Sequence, residues 1–149
     1  MASKFFPEKP DYTSDWGTYE SFVEDYPAVI TLDLGLDEVA PLESYPYMLF
    51  FSLSANQPTP EGFPGPEERE SMYQLEDQLI HELGQKLGAI HCGTSSAQGT
   101  RDTYFYAPKS DNYEDIVAKL MQRHPDYAFN LDVNYDENWN SLLRISLSG

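Results

Sequence analysis

The sequence predicts an α+β domain: a ferredoxin-like sandwich of βαββαβ order, with an antiparallel sheet and two helices on one face, extended by an N-terminal β-hairpin. Three observations predict it. Between residues 47 and 135 the hydrophobic period switches in the order strand, helix, strand, strand, helix, strand. Both helical stretches carry their apolar residues three or four positions apart, the mark of a single buried stripe. The one long Pro/Gly cluster, Gln57 to Pro66, lies between two periodic segments and reads as a surface loop inside one domain. A chain of 149 residues has the length of a single domain. Within it, residues 1–15 are expected to be loosely ordered, 16–46 to form the hairpin, 47–135 the core and 136–149 a C-terminal extension.

The elements follow in order. Tyr19 to Glu24 and Ala28 to Leu34 read as two strands around a turn at Asp25-Tyr26-Pro27. In the second, Ala28, Ile30, Leu32 and Leu34 alternate with Val29, Thr31 and Asp33. The hairpin can either extend the sheet or cover its other face. Tyr47 to Ser54 is apolar on both faces and suits a central strand. Pro66 fits a first helical position, and Glu67, Glu68 and Glu70 place negative charge at the positive end of the helix dipole. Met72, Leu75, Leu79, Leu83 and Leu87 form the buried stripe, and Gly88 closes the helix.

Ala89 to Ser95 reads as a strand, Ser96 to Gly99 as a turn, and Thr100 to Ala107 as the returning strand, ended by Pro108. Asp111 and Glu114 have capping-box spacing, and the helix they open directs Ile116, Val117, Leu120 and Met121 inward. His124-Pro125 stops it. From Tyr127 to Tyr135 apolar and polar residues alternate, giving a half-buried strand. The tail from Asn138 to Gly149 is expected to be a final strand or a short helix.

Composition narrows the function classes. There are 25 acidic and 9 basic residues, a net charge of −16. Phosphate recognition runs on Lys and Arg, so neither nucleic acid nor an anionic membrane surface is an expected partner. Hydrophobic residues at 40% and aromatics at 14% are too many for a disordered acidic chain. Half of the net charge, −8, falls in residues 1–46. The segment Met1 to Pro10 lacks the apolar core of a signal peptide, and no apolar run approaches the ~20 residues of a membrane span. With a single cysteine, Cys92, a cytoplasmic location is expected.

One block is distinctive: Gly88-Ala89-Ile90-His91-Cys92-Gly93 followed by Gly99-Thr100-Arg101-Asp102-Thr103-Tyr104-Phe105-Tyr106. With Trp16 and Tyr19, Tyr45-Pro46-Tyr47, Leu75-Glu76-Asp77, His124-Pro125-Asp126-Tyr127 and Trp139, it resembles the bacterial family called domain of unknown function 695, over most of the chain from about Trp16 on. The resemblance implies an architecture similar to the regulator of ribonuclease E activity B, a small acidic protein that inhibits an enzyme by binding it. Related domains also occur among immunity proteins of bacterial toxin systems. No catalytic residues are established for that family, so the resemblance carries none over to this chain.

The residues themselves carry no catalytic motif. His81-Glu82 begins a zinc-helix pattern, but Gln85 stands where the second histidine belongs. His91 and Cys92 are adjacent on a strand and face opposite ways, so they cannot share a metal ion. The glycines lack P-loop and dinucleotide-fold spacing, and Asp33, Asp37 and Glu38 around Gly35 lack that of a calcium loop. No metal, cofactor or catalytic residue is therefore assigned.

The candidate binding residues are Arg101, Asp102, Tyr104 and Tyr106, with His91. Strand alternation places Asp102, Tyr104 and Tyr106 on one face and Arg101, Thr103 and Phe105 on the other. Tyr and Arg are the side chains that anchor protein interfaces. The competing expectation is that the hairpin or the tail buries these tyrosines as a second core. Two functions are weighed. One is a non-enzymatic regulator or inhibitor that engages a basic protein through Glu20, Glu24, Asp25, Asp37 and Glu38, with a toxin-immunity protein as a special case. The other is a small-molecule-binding domain or enzyme with a pocket between the sheet and the 57–66 loop, Arg101 holding an anion and His91 acting as base. Homo-oligomerisation through a sheet edge or face stays open.

Overall fold

The computed structural model describes residues 11–141. The readings made above for Met1 to Pro10, and for the tail beyond Ser141, lie outside the described residues. Six strands and two helices follow one another as β1 (Trp16–Val23), β2 (Tyr26–Asp33), β3 (Tyr47–Ser54), α1 (Pro66–Leu87), β4 (Ile90–Ala97), β5 (Thr100–Ala107), α2 (Tyr113–Arg123) and β6 (Phe129–Tyr135), with a 3-10 turn at Leu34–Glu38 after β2. The strands form one antiparallel sheet in the order β1-β2-β4-β5-β3-β6. The fold is thus α+β with six strands, rather than a plain four-stranded sandwich. The hairpin extends the sheet because β2 pairs with β4, Ile30 opposite Ser95.

Where chemistry punctuates the chain, the boundaries fall as read. Pro66 opens α1, and Gly88 closes it in the left-handed conformation, its N–H reaching the carbonyls of Leu83 and Gly84. Four local readings are corrected. The first hairpin turns at Glu24-Asp25, both at positive φ (51° and 69°), so neither Tyr26 nor Pro27 belongs to the turn. The second turns at Gln98-Gly99, leaving Ser96 and Ala97 in β4. The Asp111/Glu114 capping box does not form; the chain enters α2 through Asn112 in a left-handed conformation, with no side-chain cap. Met121 is exposed, because only Ile116, Val117 and Leu120 of α2 point to the sheet.

Two apolar clusters lie on opposite faces of the sheet. Under the helices, Leu49, Phe51 and Leu53 of β3, Phe105 of β5, and Phe129 and Leu131 of β6 meet the α1 stripe and the buried side of α2. Burying such a side chain contributes about 1.5–3 kcal/mol. On the opposite face, Met48, Ile90, Cys92 and Tyr106 are covered by Leu36 of the 3-10 turn, Tyr45 and Trp139. Residues 11–15, expected to be loose, are tied to the sheet. The Asp15 N–H donates to Asp33 Oδ1 (2.8 Å), and the Leu34 N–H donates to the Asp15 carbonyl (2.8 Å). Gly35 permits this approach, since a Cβ there would lie 2.0 Å from the Thr13 carbonyl oxygen.

Candidate functional site

Strand alternation divides the candidate residues between the two faces as read, and the structure then separates them further. On the face away from the helices, Tyr106 is fully buried. Its ring stacks on Trp139 at 4.1 Å and 8°, and its hydroxyl donates to Asp136 Oδ2 at 2.7 Å. Asp136 also accepts the N–H groups of Asn140 and Ser141. Burial pushes the Asp136 carboxyl up, but these donors outweigh it and hold it below the ordinary range. Tyr106 is therefore a packing residue with a satisfied hydroxyl, covered by the chain that follows β6 and by the 3-10 turn.

Tyr104 is half-buried, its ring 5.3 Å from that of Phe50. Burial and the nearby Asp102 carboxylate push its hydroxyl up. Asp102 accepts a hydrogen bond from Ser52 Oγ (2.8 Å), while burial pushes its carboxyl above the ordinary value.

On the helix face, Arg101 is committed to α1. Its guanidinium makes two contacts with Glu76: Nε with Oε2, and Nη2 with Oε1 at 3.2 Å. Nη1 donates to Ser96 Oγ at 3.1 Å, and the Tyr73 ring lies 4.8 Å from its centre. A forked pair of this kind occupies the donors that an anion would need.

His91 sits between two rings, with Trp16 at 5.0 Å and Phe105 at 5.4 Å, and its Nε2 is 3.0 Å from Thr94 Oγ1. Burial lowers its pKa, an effect that the Glu76 and Asp33 charges only partly offset. The register shifts between His91 and Gly93, so Cys92 is the extra residue of a β-bulge. The Cys92 thiol is fully buried and contacts the Ile90 carbonyl oxygen. Burial pushes its pKa up, away from any nucleophilic role.

A cleft of about 560 Å³ opens beside His91, lined by Tyr12, Trp16, Asp33, Tyr45 and Gln85 among others. Arg101 does not line it. Nor does the 57–66 loop, which is bound to the opposite end of β4: the Gly99 N–H donates to the Gly62 carbonyl at 2.7 Å. The cleft beside His91 thus includes neither Arg101 nor that loop. Among the described residues, no three His, Cys, Asp or Glu side chains converge as a metal site would require. No helix among them is long and apolar enough to cross a membrane.

The five acidic residues Glu20, Glu24, Asp25, Asp37 and Glu38 are all exposed. Glu20, Glu24 and Asp25 lie on β1 and its turn; Asp37 and Glu38 lie on the 3-10 turn beyond β2. Two anchoring carboxylates escaped the sequence reading. Asp136 is one; beside Glu137 it looks like part of a solvated turn, and nothing in the sequence marks its reach to Tyr106. The other is Glu68, which accepts the N–H groups of Asn56 (3.1 Å) and Gln57 (2.7 Å) and the Tyr127 hydroxyl. Glu68 looked only like a helix-dipole charge, and nothing in the sequence marks its reach across the loop.

These features define a small acidic α+β domain whose distinctive block builds strands β4 and β5. Residues 14–143 match the family described as a family of unknown function, DUF695, and the chain belongs to that family. No curated protein and no solved structure gives a match.

Proposed function

We propose that this protein is a non-enzymatic binding protein, a regulator or inhibitor that engages a basic protein. One observation carries the reading: from Pro10 to Glu68 there are twelve acidic residues and no Lys, Arg or His, and Glu20, Glu24, Asp25, Asp37 and Glu38 among them are exposed. A one-sign field of this kind accelerates association with an oppositely charged partner and rejects like-charged ones. The commitment of Arg101 to Glu76 and the inert Cys92 count in favour of binding over catalysis. Residues 47–135 further support a ferredoxin-like reading, akin to the regulator of ribonuclease E activity B. Their strands run antiparallel in the order β4-β5-β3-β6, with α1 and α2 on one face. A toxin-immunity protein would be the same binder with a toxin as its basic partner.

The test replaces Glu20, Glu24 and Glu38 with Gln, and Asp25 and Asp37 with Asn. A partner captured by the native chain at low salt is expected to associate at least about tenfold more slowly with this variant. Unchanged association, at low and high salt alike, overturns the proposal. A ligand-binding function rests on the cleft beside His91 alone and has no free guanidinium to hold an anion.

A further inference from the structure

Strand β1 is a sheet edge, and among the described residues no strand pairs with its outer side. Natural edges are blunted by charged side chains, above all lysine, by proline or by a bulge. Over its eight residues β1 has no Lys and no Pro, Glu20 is its one charge, and its register with β2 runs without a shift from Trp16–Asp33 to Val23–Tyr26.

The ladder shows which groups point outward. Glu24 and Asp25, both at positive φ, make a two-residue turn, so Val23 and Tyr26 form the hydrogen-bonded closing pair. Antiparallel pairs then alternate, and Phe22–Pro27 is the first pair without mutual bonds, as Pro27 with no N–H requires. The N–H and C=O groups of Trp16, Thr18, Glu20 and Phe22 therefore point away from β2. The side chains of the same four residues share one face of the strand, the helix side, where Trp16 meets His91. All four are exposed, Phe22 at 73% and Trp16 at 43%.

We infer that β1 accepts an extended segment of the basic partner as a seventh strand, with a Lys or Arg opposite Glu20 and apolar side chains opposite Trp16 and Phe22. This rests on the binding function proposed above and names its surface. Main-chain bonds to an open edge supply affinity, and alternate side chains supply choice. Charge selects the occupant. A second copy would bring Glu20, Glu24 and Asp25 against like charge in two chains of −16 each, whereas a cationic strand meets opposite charge along the whole edge.

The probe is a nine-residue peptide, Lys-Val-Thr-Lys-Thr-Thr-Thr-Val-Lys, blocked at both ends and titrated into the full chain; paired antiparallel, its second, fourth and eighth residues fall opposite Phe22, Glu20 and Trp16. Its control is the same peptide N-methylated at every residue, which keeps the charge and removes the donors. Binding at least tenfold tighter for the unmethylated peptide is expected, with slowed hydrogen exchange at the amides of residues 16, 18, 20 and 22. Thr18→Pro, which removes one outward donor, should weaken binding by a similar factor. The exchange readout on the native chain stands even if that variant folds poorly. Equal binding of both peptides overturns strand addition and leaves the acidic-surface function standing. Edge amides already protected in the free chain, or a dimer that Thr18→Pro dissolves, overturn it by showing the edge occupied. Binding of neither peptide overturns strand addition, and the acidic-surface function is then decided by the partner-association test alone.

Discussion

His91 shows how one residue can be legible by type and not by role. Its partition from Cys92 onto opposite faces follows from strand alternation alone. Its neighbours do not, since Trp16 reaches it from β1, far upstream in sequence, and the bulge at Cys92 decides that Phe105 of β5 lies opposite it. Those rings desolvate the imidazole and hold its pKa below the ordinary ~6.5. The unfolded chain then binds a proton first as the pH falls, so stability that is present above about pH 6.5 is lost on acidification until the folded pKa is passed. His91→Gln removes this linkage while keeping a side chain able to meet Thr94. Its urea midpoint should change less than that of the native chain between about pH 7 and 5.5. Parallel pH profiles would show that burial of His91 does not shift its titration. Tyr106 teaches the same lesson: its face was readable, whereas the Trp139 ring that covers it comes from a segment with no period to read.

Among the elements, α1 and β5 were readable to the residue because Pro66, Gly88 and Pro108 mark their ends, and β3 because Pro46 precedes a continuous apolar run. The hairpin turns were displaced because Glu24, Asp25 and Gln98 occupy left-handed positions that Gly or Asn ordinarily announces. Contact between elements is harder still to read. Leu75-Glu76-Asp77 looks like the solvated flank of a helix, yet Glu76 is 7% exposed and joins α1 to β5 through Arg101. Removing one partner of a buried pair leaves an uncompensated charge, so Arg101→Met is expected to cost about 3–5 kcal/mol in urea unfolding. The double variant Glu76→Leu/Arg101→Met should recover most of that loss. A double variant as unstable as the single would mean that the loss comes from packing around the Arg101 stem.

For the whole molecule, the chain order of strands and helices was legible, but the place of the hairpin was not. Alternation in Ala28 to Leu34 demands a covered face without saying what covers it, so sheet extension and face covering remained equal until the β2–β4 pairing was known. The net charge acts at this scale too. With 25 acids against 9 bases, self-repulsion opposes the compact state. Raising the ionic strength from about 0.01 to 1 M shortens the screening length from about 30 to 3 Å. Sodium chloride over that range should raise the Tm by at least about 3 °C, roughly 1 kcal/mol for a domain of this size. The variant with five neutralised acids should respond less. Equal responses would place the repulsion elsewhere in the molecule.

The position of β2 also sets a timetable for synthesis. Its sheet neighbour beyond β1 is β4, and Ile30 pairs with Ser95, about 65 residues later. At roughly 5–20 residues per second, the nascent hairpin waits about 3–13 s for that neighbour, with both of its edges open. On a polysome, neighbouring chains present identical hairpins to one another during that wait. The acids on the hairpin, unrelieved by any base, then repel one nascent copy from the next before the sheet exists to shield them.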